Sequence, residues 1–257
     1  MNFRNLSAFV EKANNWTKKP VSEKLESFVN RYYAVENNVF EKRHGLDFGG
    51  EIPNAQCVAG FYLDAKDLVA DSKSSLANAH PYQAYGNPRF KSLIEEAMLC
   101  GDGFDRFVDI GCGKGKQCVY AAKYFKFDEV IGIEFSKPLV EVAEENLHRL
   151  GWSRIKVINA DATSWHIPDG KSIIFMYNPF NATLLNQFIS FNMHHFQKFG
   201  SIIAYGNDLH RDALEECGFK VVYRSRKRRN SIYKLPDQTT EPAPVHQSLQ
   251  NASARQT

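Results

Sequence analysis

The chain has no run of about eighteen apolar residues, so no segment of it reads as a membrane-spanning helix. Its first twenty residues are polar and lack the apolar core of a secretory signal, so a cytoplasmic location is expected. Cysteine is scarce, with Cys57, Cys100, Cys112, Cys118 and Cys217 the five present, and none stands in a Cys-x-x-Cys pair. An odd set without that spacing argues for reduced thiols and against a disulfide frame or a zinc site, and no metal is expected. Neither sign of charge dominates: 32 Lys and Arg face 29 Asp and Glu, and the net charge of +3 is too small to imply nucleic acid by itself. No internal repeat is present. What remains is a 257-residue chain, 43% hydrophobic and 24% charged, as in soluble globular proteins, long enough for one large domain and an appendage.

The most informative stretch is Phe107-Val108-Asp109-Ile110-Gly111-Cys112-Gly113-Lys114-Gly115. An apolar strand ends near an acid and turns through three glycines at alternate positions into a helix starting near Lys116. Glycine permits left-handed turns and lets a ligand lie against bare backbone. The helix start offers unpaired N–H groups to an anion. A dinucleotide fingerprint wants G-x-G-x-x-G, but Lys116 stands at its last position. A phosphate loop wants G-x-x-x-x-G-K-[ST], which Gly111 to Lys116 does not supply.

From residue 105 the pattern alternates strands with helices, which implies a parallel sheet covered on both faces. Strands are expected at Arg106–Ile110, Glu129–Glu134, Ile155–Asn159, Ser172–Tyr177 and Ser201–Tyr205. Helices are expected at Lys116–Phe125, Pro138–Leu150 (with Ser136 placed to cap it), Thr183–Gln197 and Leu209–Cys217. The last two apolar runs, Lys220–Arg224 and Ser231–Leu235, are separated by only Ser225 to Asn230, too short for a crossover helix, so they must form a hairpin. Upstream, Leu6, Phe9 and Val10, then Leu25, Phe28, Val29, Tyr32 and Tyr33, carry helical spacing on either side of Pro20. A further helix is expected from about Arg89 to Cys100. The expected division is a helical lid and acceptor region over 1–80, a nucleotide-binding domain over 81–235, and a disordered tail rich in Pro, Gln, Ser and Thr over 236–257.

The glycine turn resembles the first motif of the class I methyltransferases that bind S-adenosylmethionine (SAM). A mostly parallel, doubly wound sheet ending in an antiparallel hairpin strand is similar to the Rossmann-like sheet of that family and unlike that of a nicotinamide dehydrogenase. The resemblance covers roughly residues 80–235. It implies SAM as cofactor, held by Asp109, Gly111, Cys112, Gly113 and Gly115 at the first strand end. At the second strand end it implies Glu134 as acceptor for the ribose hydroxyls, with Phe135 walling the adenine. At the third, Asp161 and the Ala162 backbone would meet the adenine edge. Each has a plainer reading: Glu134 as a solvated strand-end acid, Asp161 as a helix cap, Phe135 as core. At the fourth, Asn178-Pro179-Phe180 is similar to the Asn/Asp-Pro-Pro-Tyr/Phe motif of enzymes methylating amino nitrogens, with one proline missing. The resemblance makes these three the catalytic residues, Asn178 also touching the cofactor, and places Tyr82 and Tyr85 over its methionine end.

The implied activity is methyl transfer to a nitrogen of a protein side chain or small molecule. An oxygen acceptor would profit from a base, for which His166, His194 and His195 are the nearest histidines. The run Arg224, Arg226, Lys227, Arg228, Arg229 keeps a second class open, a catalytically inactive SAM-binding or RNA-binding relative. A nicotinamide-dependent oxidoreductase is the third.

Overall fold

The computed structural model describes residues 21–49, 51–52, 82–83 and 85–236. Helix α1 (Val21–His44) starts directly after Pro20, and a two-residue ribbon pairs β1 (Glu51–Ile52) with β2 (Tyr82–Gln83). Helix α2 (Asn87–Leu99) then leads into the alternating part: β3 (Arg106–Ile110), α3 (Lys116–Tyr124), β4 (Glu129–Glu134), α4 (Lys137–Leu150) and β5 (Ile155–Asn159). After a 3-10 turn at Ala162–Ser164 come β6 (Ser172–Tyr177), α5 (Ala182–Phe199), β7 (Ile202–Gly206), α6 (Arg211–Glu216), β8 (Lys220–Ser225) and β9 (Asn230–Lys234). The tail over 237–257 and the helical spacing before Pro20 lie outside the described residues.

The seven main strands are ordered β5-β4-β3-β6-β7-β9-β8, and only β9 runs against the rest. Strand order reverses between β3 and β6, so the crevice at their carboxyl ends is where a ligand belongs in an open α/β sheet. Alternation along β3 explains why the sheet needs two covers. Phe107 joins one fully buried cluster with Phe90, Tyr120 and Phe175, while Val108 and Ile110 join another with Ile174, Phe188 and Tyr205.

Elements fall within two residues of the expected bounds. The fifth parallel strand begins at Ile202, one residue later than expected, and the Ser201 hydroxyl just before it accepts from the Ser172 amide at 2.8 Å. Ser136 occupies the cap position of α4, but its side chain makes no capping bond there. Asn181 does cap α5, accepting from the Leu184 amide at 3.0 Å.

Helix α1 attaches to the domain through its polar side. The Tyr120 hydroxyl donates to Glu41 Oε1 at 2.8 Å, the Tyr124 hydroxyl to Glu36 Oε2 at 2.8 Å, and Lys123 pairs with Glu36. Asn37 is buried in this seam, with Phe40 packed beside it. Leu25, Phe28, Tyr32, Val35 and Val39 face outward from α1 and are exposed.

Candidate cofactor and acceptor site

The three glycines take left-handed backbone, with φ of +74° at Gly111, +54° at Gly113 and +78° at Gly115. The Gly111 and Cys112 amides donate to the Ile133 carbonyl at 2.9 and 3.0 Å, which ties the turn to the end of β4. A side chain on Gly111 would meet Pro179 Cβ at 2.9 Å, so glycine here lets the turns after β3 and β6 touch. Gly132 on β4 is confined in the same way. Its missing Cβ would lie 2.7 Å from the Cys112 sulfur and 2.9 Å from that of Cys118. Cys112 is therefore buried packing in the floor of the turn.

Two carboxylates stand on neighbouring strands. Asp109 is only 2% exposed, and among the described residues its side chain accepts from the weak thiol of Cys118 at 3.8 Å. Burial and the charge of Glu134 push it up to about 8. Glu134 ends β4 half-buried, its two oxygens accepting from the amides of Gly113 and Ser136, each at 2.8 Å. Burial raises it as well, against the pull of those amides. Among the described residues, no cationic side chain contributes to the shift of either acid. Lys114, in the middle of the turn, points away and is spent elsewhere: its Nζ donates to both Asp47 oxygens at 2.9 and 2.8 Å and to the Gly49 carbonyl. Asn146 on α4 completes that latch, bonding the backbone of both Asp47 and Lys114.

At the end of β5, Asn159 donates to the Glu134 and Phe135 carbonyls at 3.0 and 2.9 Å, bracing the two strand ends. Phe135 is half-buried and Ala162 buried. Asp161 caps the 3-10 turn, accepting from the amide and hydroxyl of Thr163 at 2.9 and 2.7 Å.

At the end of β6, Asn178 is buried with a left-handed φ of +47°. Its Oδ1 accepts from the Tyr205 hydroxyl at 2.9 Å, which fixes the amide's orientation. Pro179 lies against the glycine turn, but Phe180 turns into the core cluster beside Phe188, with ring centroids 6.3 Å apart. The aromatic that does flank Asn178 at the sheet end is Tyr177, whose ring lies 4.4 Å from that of Tyr85. Tyr85 is buried, sharing a 2.7 Å hydrogen bond with the Asn230 side-chain amide, while its carbonyl accepts from Gln117. Of Tyr82 only the backbone, in β2, is described.

The histidines stand apart from this group. His195 is buried, its Nε2 2.8 Å from the Ser201 hydroxyl, and burial pushes it down to about 4, so it is neutral near pH 7. His166 stacks on Phe191 and His194 is exposed. Asp47, Tyr205 and Asn230 are the site neighbours that sequence reasoning missed. Each reaches the site across a long chain separation, and no local spacing signals them.

Residues 107–198 match the family model described as a methyltransferase domain. A curated relative, a probable (S)-tetrahydroprotoberberine N-methyltransferase from Papaver bracteatum, is 25% identical over 160 residues, which is 62% of this chain. The match spans 38% of that relative's length. Among solved structures, a ribosomal protein L11 methylase from Lactobacillus delbrueckii subsp. bulgaricus aligns at 20% identity and a TM-score of 0.45, covering 61% of this chain and 82% of that one. N-methyltransferase NodS from Bradyrhizobium japonicum aligns at 14% and 0.44, covering 58% and 95%. The glycine turn, both acids and the Asn-Pro-Phe segment all lie within the stretch that matches the methyltransferase-domain model.

Proposed function

We propose that the protein transfers the methyl group of SAM to a nitrogen of a protein side chain or small molecule. One observation carries the cofactor assignment: Asp109 and Glu134 are held at the crevice with no cation beside them among the described residues, next to a turn whose backbone a Cβ would obstruct. SAM supplies an activated methyl on a sulfonium, and its ammonium and sulfonium charges suit such a pair of acids. Asp109 would take the amino-acid end, Glu134 the ribose hydroxyls, and Asp161 with the Ala162 backbone the adenine edge. Tyr85 packs against Tyr177, which precedes Asn178 at the end of β6.

The reading of nitrogen as acceptor rests on Asn178. Its carbonyl oxygen has two lone pairs, and the Tyr205 hydroxyl occupies one. In this reading the other would accept an N–H of the substrate and hold the nitrogen for attack. No dedicated base is needed when the amine arrives neutral, in keeping with histidines that serve packing. The curated relative's name as an N-methyltransferase supports the same reading. The lid and acceptor region over 1–80, the catalytic domain over 81–235, the tail and a cytoplasmic location belong to this proposal. Among the described residues no helix is long and apolar enough to cross a membrane.

The test is calorimetric titration with SAM, with NAD in parallel. Micromolar SAM binding and no NAD binding is expected. Asp109→Ala should abolish SAM binding. Asn178→Ala should keep it while losing methyl transfer from labelled SAM into cell extract. Equal loss of binding in both variants would overturn this division of roles.

A further inference from the structure

The turn between β8 and β9 holds Arg226, Lys227, Arg228 and Arg229, and the sheet register decides where it sits. Asn230 pairs with Gly206, the last residue of β7, and Ser225 pairs with Asn230, so the turn projects from the carboxyl edge of the sheet. That is the edge carrying the site. A continuous set of contacts joins the two. Asn178 follows Tyr177, the Tyr177 ring packs at a tilt against that of Tyr85 with centroids 4.4 Å apart, and Tyr85 bonds Asn230, the residue that closes the basic turn. Tyr85 Cζ also lies 3.3 Å from where a Cβ of Gly206 would be.

The turn is held firmly. Arg228 donates to the Ser92 hydroxyl on α2 at 3.1 Å, and the Asp208 amide donates to the Arg229 carbonyl at 2.9 Å. The nearby acid is already used: Asp208 accepts from Arg224 at 3.1 Å and from the Ser231 hydroxyl. Arg226, Lys227 and Arg229 are exposed and make no ion pair among the described residues, and exposed Arg89 stands near Tyr85 on α2. Four cationic residues in succession on a braced turn concentrate positive potential at one point of the rim. Guanidinium forks match the oxygens of a phosphate, and a dianion uses such a density of charge better than a single carboxylate does.

We propose that the Arg226–Arg229 turn docks a phosphate group carried by the methyl acceptor, next to the Asn178 end of the crevice. The inference deepens the methyltransferase reading and rests on it for the word acceptor. The phosphate has two sources, a small phosphoester or a nucleic-acid backbone.

The experiment uses the full chain and a variant carrying Arg226→Glu, Lys227→Glu and Arg229→Glu, sparing the anchored Arg228. Binding is measured to inorganic pyrophosphate, to a labelled thymidylate strand of about twelve nucleotides, to polyglutamate and to SAM. The expected result is salt-sensitive binding of pyrophosphate or the strand that weakens roughly tenfold or more in the variant, with SAM affinity unchanged. Pyrophosphate binding points to a small phosphoester, and binding of the strand alone points to nucleic acid. Binding of neither, binding unchanged in the variant, or polyglutamate binding as strongly overturns the proposal. Failure of the wild-type chain to bind SAM overturns the methyltransferase reading instead and leaves the anion result readable.

Discussion

Asp109 concentrates the residue-scale chemistry of the site. Its folded value of about 8 stands well above its ordinary value near 4, so the folded state holds this proton more tightly than the unfolded chain. The associated stability is therefore complete at acid pH and is lost as pH rises from about 4 to about 8. Asp109→Asn should flatten that slope and raise the Tm of the unliganded protein at pH 8. A cation bound beside Asp109 draws the proton off, so SAM affinity should fall as pH drops from about 8 toward 6, by up to about tenfold per pH unit. Titrations at several pH values check this. Gly132 offers a test of packing under the same turn. Gly132→Ala forces a Cβ onto two sulfurs and should cost about 1–3 kcal/mol. Adding Cys112→Ala should return part of the lost Tm.

At the scale of elements, the strand ends were legible because each pairs an apolar run with a change of chemistry, as in Asp109, Glu134 and Asn178. The hairpin was legible from a gap too short for any other connection. The direction of Phe180 was not: the left-handed backbone at Asn178 redirects the chain, and spacing carries no trace of a single φ. The latch of Lys114 on Asp47 was equally hidden, since 67 residues separate its partners. Its consequence is measurable. Lys114 is 6% exposed, whereas the Asp47 side chain is more than half exposed, so the pair's worth must be discounted for solvent. Lys114→Ala should cost about 1–2 kcal/mol, and the segment over 45–49 should become a site of early proteolysis while the sheet stays resistant.

At the scale of the whole molecule, the sheet and its helices are closed by apolar packing, whereas α1 adds to the packing of Phe40 a set of polar and ionic fasteners. The groups that fasten it are Glu36, Asn37 and Glu41 against Lys116, Lys123, Tyr120 and Tyr124. Burial opposes ionisation of Glu36, yet the bonds from Lys123 and Tyr124 prevail and hold its carboxyl below the usual range. That contribution is present at neutral pH and is lost as pH falls through its folded value. The two parts of the molecule should thus answer to different solvents. Hydrogen exchange across 21–44 should quicken in strong salt or mild acid, while β3 to β7 stay protected until the denaturant is one that dissolves apolar surface. The helix is in effect a clasp with an ionic catch, and the buffer sets how tightly it is fastened.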